Sequence, residues 1–160
     1  MGVKSYSKEA TSPVAPGRLF KAMCLDSHNL FPKLFPESIK SIEFVHGDCV
    51  VVGAVKQINF SEGTPFKYVK HRVDEVDVES FYYKYTITEG DVLGEKVEYI
   101  VNDVKFVASG SGSACTFNSH FHAKEGAELD EEKIKHGQEK MKAAYEKVEA
   151  YLVANPEVYA

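Results

Sequence analysis

The 160-residue sequence contains no tryptophan, only three cysteines and six prolines, and no excess of positive charge. Each shortage removes a class of protein. Cys24, Cys49 and Cys115 are an odd, widely spaced set without a C-x-x-C pair, so neither a disulfide framework nor a zinc finger fits. Three reduced and mostly buried thiols are expected. Nineteen Lys and Arg stand against 24 Asp and Glu, a net charge of −5. The basic residues are interleaved with acidic ones rather than gathered into the patch that phosphate binding needs, so nucleic acid is not expected as the main partner. No apolar run approaches the length of a membrane-spanning helix. The opening stretch MGVKSYSKEATS lacks the apolar core of a secretory signal, and the expected location is cytoplasmic. Asn59-Phe60-Ser61 has the form of a glycosylation sequon, but in that compartment it reads as a chance match inside a strand.

What is present is the composition of an ordinary globular domain, 44% hydrophobic and 27% charged. One domain over residues 1–160, mostly monomeric, is expected, large enough to bury a core. From Leu129 to Ala154 there is no proline, and Ile134, Met141, Ala144, Tyr145, Val148, Tyr151 and Leu152 recur three and four residues apart. That spacing predicts one long amphipathic helix. Residues 3–11 read as a first strand ended by Ser12-Pro13. Pro16 opens a short helix carrying Leu19, Phe20, Met23 and Cys24, and Asp26-Ser27 caps a second that stops before Pro36. From Ile39 onward the chain reads as six short antiparallel strands. Their turns fall at Ser61–Pro65, Asp74–Asp77, Glu89–Asp91 and Ser109–Ser113. The expected fold class is α+β: a curved seven-stranded antiparallel sheet wrapped on a long C-terminal helix, with two short helices, enclosing a large cavity.

The residues that alternation turns toward that cavity are chemically mixed. Tyr68, Tyr83 and Tyr85 bring hydroxyls and Asn102 an amide, while Ile39, Ile58, Phe60, Phe66, Ile87, Ile100 and Val104 supply apolar wall. Met23 faces them from the first short helix, and the long helix presents Gly137, Lys140, Met141 and Ala144. A solid core prefers branched aliphatics with few polar atoms. Several tyrosines on one inner face suit a space that is wet or holds a ligand. His71, at the end of one strand, and His28, at the bend between the short helices, are the candidate titratable groups pointing inward.

Five segments give the chain a family likeness: Arg18-Leu19-Phe20-Lys21-Ala22, Asn29-Leu30-Phe31-Pro32-Lys33, Pro65-Phe66-Lys67-Tyr68-Val69-Lys70, Arg72-Val73-Asp74-Glu75-Val76-Asp77 and Glu149-Ala150-Tyr151-Leu152. Over essentially its whole length the chain resembles the plant pathogenesis-related class-10 proteins, the Bet v I family of pollen allergens. The resemblance implies the helix-grip, START-like fold read above. It also implies a plant defence or stress protein that binds small amphipathic metabolites, such as cytokinins, flavonoids, sterol-like hormones or alkaloid precursors, without cofactor or metal. One segment departs from the family pattern. Where the family has a glycine-rich loop, this chain has His46-Gly47-Asp48-Cys49-Val50-Val51-Val52-Gly53-Ala54, one residue longer and with Cys and Val in place of inner glycines. The β-branched run is expected to extend the strands or form a bulge, with at least one valine packed inward, and not to receive phosphate.

Enzyme readings stay open as alternatives. The ribonuclease activity reported for some relatives would fall on Glu98, Glu149 and Tyr151, where a surface strand and a helix face are the simpler reading. Condensing relatives use a cavity lysine, but Ala114–Phe121 has none, and Lys140 at a helix edge reads as reaching water. His120 and His122 share a strand face without a third ligand, so no metal site is expected.

Overall fold

The computed structural model describes residues 2–160. Strand β1 (Val3–Ser12) leads to two short helices, α1 (Pro16–Phe20) and α2 (Ser27–Leu34). Six strands follow: β2 (Ile39–His46), β3 (Val55–Phe60), β4 (Tyr68–Asp77), β5 (Tyr82–Gly90), β6 (Val97–Ser109) and β7 (Gly112–Ala123). Helix α3 (Glu131–Ala154) closes the chain. The strands form one antiparallel sheet in the order β1-β7-β6-β5-β4-β3-β2. Strands β1 and β2 are therefore the two edges, and the α1–α2 segment that joins them has to cross the inner face of the sheet.

Local chemistry accounts for the helices. Pro16 opens α1 at the position where a missing N–H costs nothing. Lys21–Leu25 continue it as a π-helical turn before the bend at Asp26. Asp130 caps α3, its carboxylate accepting from Glu132 N at 3.1 Å and Lys133 N at 3.4 Å, and Glu131 and Glu132 complement the helix dipole in the first turn.

Packing is uneven along α3. At its C-terminal end Val148 and Leu152 are fully buried with Leu19 and Phe20 of α1 and with Val73, Tyr83 and Phe106 of the sheet. Arg18 secures this end: its Nη2 donates to the carbonyls of Leu152 (3.0 Å), Asn155 (2.8 Å) and Val158 (2.8 Å), satisfying groups the helix end leaves unpaired. At the other end Ile134 is buried, and Glu131 accepts from Tyr6 Oη at 2.8 Å and pairs with Lys4. Between the two moorings the packing opens. Met141 lies seven residues from both Ile134 and Val148, hence on the same stripe, yet is 40% exposed. Gly137 is exposed too, and a Cβ placed on it would meet no atom within 4 Å.

Three local expectations are corrected. Asp74–Asp77 is strand, and the turn is Val78–Phe81, where the Asp77 carboxylate accepts from Glu79 N (3.0 Å) and Ser80 N (3.2 Å). A register shift between Val73 and Glu75 lets both Val73 and Val76 pack inward, which keeps this charged run in the sheet. Residues 47–54 form a loop rather than longer strands, because Gly47 (φ +80°) and Gly53 (φ +93°) turn the chain at both ends of the valine run. Val50 packs against the core, whereas Val51 and Val52 are exposed. The irregularity expected from the extra residue lies between Phe44 and His46, and Ile42 faces Ile58 in register. Tyr68 lies on the outer face: its strand partner is Asn59, while Val69 and Ile58 form the inward pair. Its hydroxyl bonds to Glu89.

Two glycines should respond oppositely to alanine. A Cβ on Gly112 would sit 1.9 Å from the Ser12 carbonyl oxygen, so Gly112→Ala should cost about 2 kcal/mol or more. Gly137→Ala replaces an unhindered helical glycine and should add about 1 kcal/mol, raising Tm by about 2–4 °C. Thermal unfolding of both variants checks the pair.

Candidate functional site

Strand parity builds the site. In β3 the inward residues are Lys56, Ile58 and Phe60, and their direct partners on β2 are Phe44, Ile42 and Ile39. On β4, His71 faces Lys56, and across the next pairing His71 faces Ile87. Strand β5 adds Tyr83 and Tyr85, set against Val104 and Asn102 of β6. Over these strands lies the bend between α1 and α2. The result is a pocket of about 80 Å³ lined by Met23, Ser27, Phe31, Ile42, Lys56, Ile58, His71, Tyr83 and Tyr85. That is space for the head of a ligand. Met141 and Gly137 of α3 do not line this pocket: Met141 is 40% exposed, and a Cβ on Gly137 would meet no atom within 4 Å.

Lys56 dominates the electrostatics. It is only 4% exposed. Its Nζ donates to Ser27 Oγ at 3.1 Å and stands 5.3 Å from the centroid of the Tyr83 ring. Among the described residues no carboxylate pairs with it. Burial lowers its ammonium from the ordinary lysine value to about 8, only partly opposed by the Cys24 thiol. The His71 ring stacks on Tyr85 at 4.6 Å, and burial, reinforced by the Lys56 charge, pushes it down to about 3. His71 is therefore neutral at physiological pH. Burial also raises Tyr83 far above the ordinary phenol range and Tyr85 to about 12, so both hydroxyls stay protonated. Tyr85 Oη accepts from Asn102 Nδ2 at 3.2 Å, and Asn102 in turn accepts from Ser119. Tyr83 Oη and His28 Nδ1 are buried without a partner, a condition that costs free energy unless water or a ligand answers it.

Of the residues singled out in the sequence, the pocket brings together Met23, Ile58, His71, Tyr83 and Tyr85. Ile39 and Phe60 face each other farther along the same inner row, and the Phe66 ring rests 6.1 Å from Phe60. Ile100, Asn102 and Val104 are buried on the inner side of β6, opposite Phe121, Ser119 and Phe117. His28 stands 5.0 Å from Phe44 at the bend, and Ala144 is half-buried on α3. Lys140 is exposed, as a long cationic side chain at a helix edge prefers, and does not join the group. Tyr68, on the outer face, does not either. Sequence reasoning missed Lys56, Ser27, Phe31 and Ile42. The signal for Lys56 was available, since the alternation that turns Ile58 and Phe60 inward turns the residue two before Ile58 inward as well.

The remaining candidates disperse. Glu98 lines a shallow, open hollow on the outer face with Arg72, Asp74 and Thr86, whereas Glu149 is on α3, which packs on the inner face. The Tyr151 hydroxyl accepts from Lys33 Nζ at 3.1 Å. His120 bonds to Ser5 Oγ at 2.7 Å, and His122 stacks on Tyr99 at 4.1 Å. No three His, Cys, Asp or Glu among the described residues are grouped to hold a metal ion. No helix among them is long and apolar enough to cross a membrane.

Comparison with known proteins matches residues 1–155 to the pathogenesis-related protein Bet v 1 family. The major strawberry allergen Fra a 1.08 of Fragaria ananassa is 46% identical over 160 residues, covering 99% of each chain. Pathogenesis-related protein STH-2 of Solanum tuberosum is 47% identical over 161 residues, covering all of both. Among solved structures, Ara h 8.0201 superposes with a TM-score of 0.87 at 36% identity, covering 96% of this chain and 100% of the other.

The Lys56 charge has a consequence for stability. Its folded value lies below its unfolded one, so the unfolded chain binds more protons between about pH 8 and 10.5, and stability rises with pH across that window. At pH 7 the charged form costs the folded state roughly 3 kcal/mol. Lys56→Met removes that cost along with the bond to Ser27, itself worth about 1 kcal/mol, and should stabilise by roughly 2 kcal/mol at pH 7. The gain should shrink toward pH 10.5. Chemical denaturation of both chains across this range checks it.

Proposed function

The chain belongs to the Bet v 1 family of pathogenesis-related proteins, and we propose that within it this protein is a cytoplasmic, monomeric carrier of small amphipathic plant metabolites. Ligands of cytokinin, flavonoid, sterol-like or alkaloid type fit the reading. The observation that carries it is the pairing of apolar wall with unanswered polar atoms. Met23, Phe31, Ile42 and Ile58 line the pocket with Tyr83 and Lys56, and neither the buried Tyr83 hydroxyl nor the Lys56 ammonium finds a full set of partners among the described residues. A ligand with an apolar body and a polar end answers both conditions at once. Met141, 40% exposed on the inner stripe of α3, marks where such a ligand would enter.

One observation favours a second reading, an enzyme of plant specialised metabolism acting in the same cavity. An amine held near 8 can give or take a proton at neutral pH, as isomerising and condensing enzymes require. Lys56 lacks the acidic orienting partner that such a role usually employs, and the carrier reading is preferred. The ribonuclease reading finds no support, because the sheet separates Glu98 from Glu149.

Fluorescence titration with the neutral dye 1-aminoanthracene tests the carrier reading. One or two equivalents should bind with micromolar affinity and be displaced by a flavonoid or a cytokinin. A folded protein that takes up no dye would sink the proposal. RNA incubated with the purified chain should be cleaved no faster than with Glu149→Ala. Robust cleavage that disappears in the variant would make the protein a nuclease.

A further inference from the structure

The pocket beneath the α1–α2 bend contains a cation and several hydrogen-bond donors, but no acid. Its nine lining residues include no Asp and no Glu. The ammonium of Lys56 has three N–H donors, of which one is directed to Ser27 Oγ and two have no acceptor among the described residues. The Tyr83 ring lies 5.3 Å from Lys56 Nζ, and its hydroxyl is buried and unpartnered. Apolar side chains from four elements, Met23, Phe31, Ile42 and Ile58, keep this end dry. A buried charge without a counter-charge is a strong bias on what can enter. A neutral ligand leaves it unanswered, and a cationic one is repelled.

The geometry points to a head-group subsite for an amphipathic acid: an anionic oxygen, of a carboxylate or of a phenol acidic enough to ionise, seats on Lys56 Nζ and the Tyr83 hydroxyl. The apolar body then lies along the inner row of β3 and β2, past Ile58 toward Phe60 and Ile39. Charge-assisted hydrogen bonds in a dry site are short and strong, and one misplaced neutral group forfeits them. This inference rests on the carrier reading and names its ligand class.

The other groups around Lys56 do not titrate in the working range. On the turn after α1, the Cys24 thiol is pushed up by burial; on β4, His71 is pushed down to about 3. On β5, Tyr83 and Tyr85 are raised, and on α2, His28 is lowered chiefly by burial. Facing Lys56 from β2 is Phe44, which carries no charge. Preference for an acid therefore follows Lys56 alone. It is complete near pH 6.5, where the amine is charged, and declines as pH rises beyond about 8.

Calorimetric titration with 2-naphthoic acid and its neutral amide, 2-naphthamide, is the test, run at pH 6.5 and pH 9.5. The native chain should bind the acid at least tenfold more tightly at pH 6.5, with the difference reduced severalfold at pH 9.5. Lys56→Met should bind the two within twofold, with a Tm at pH 6.5 no lower than that of the native chain, which reports an intact fold. Equal affinity of the native chain for acid and amide, alongside normal dye uptake, overturns the acid subsite and leaves the carrier reading standing. Retention of the acid preference in Lys56→Met overturns it as well. Failure of the native chain to take up the dye or either naphthalene overturns both readings together.

Discussion

Strand β3 is hydrogen-bonded on both sides, to β2 and to β4, so its inward side chains have no route to solvent except through the space above the sheet. Lys56 is one of them, and the α1–α2 bend covers that space from above. Placing an amine there sets much of the local chemistry. It orients Ser27 at the start of α2, lies against the Tyr83 ring, and helps keep His71 neutral. An interior built only for stability would place an aliphatic residue at this point. The amine is more easily understood as a group held for something that arrives from outside.

The same logic extends to α3. The helix is tied at both ends, by Arg18 and the Val148–Leu152 core at one and by Glu131 and Ile134 at the other. Between them Met141 stays 40% exposed on the stripe that should be buried, and Gly137 has no neighbour to accommodate. The helix is thus held at its ends and less buried in its middle. Polar inner residues such as Asn102, Ser119 and Tyr85 form their own chain of hydrogen bonds, which spares most of the sheet from needing a ligand. Two of the unanswered atoms, Tyr83 Oη and His28 Nδ1, belong to the Lys56 end, and the other two, Ser113 Oγ and Tyr145 Oη, lie elsewhere.

Much of this architecture was legible in the sequence because it follows from periodicity. The seven strands, the paired short helices and the long C-terminal helix rest on spacing of two and of 3.6, with Pro16 marking the start of α1. The inward positions of Tyr83, Tyr85 and Ile58 follow from the same alternation. What was not legible depends on bulges and on glycine torsions. Alternation carried forward from Phe66 puts Tyr68 inside, but Phe66 lies before the strand begins and its parity does not transmit. Asp74–Asp77 looks like a turn by composition, yet a bulge lets its valines pack and keeps it in the sheet. The valine run at Val50–Val52 prefers strand, and two positive-φ glycines override that preference. Lys56 was overlooked for a different reason: a lysine between apolar residues is ordinarily assigned to the solvent face, although its parity said otherwise.

The account stands on a charged amine that is buried, unpaired and therefore weakened. Its most direct test is an NMR titration of the Lys56 side chain in the ligand-free protein, following the methylene carbon beside Nζ. Lys56→Arg serves to assign the resonance. A midpoint near 8, well below the ordinary lysine value, is the result expected. A midpoint at the ordinary value near 10.5 would place the amine in water or beside an acid, and would contradict the account.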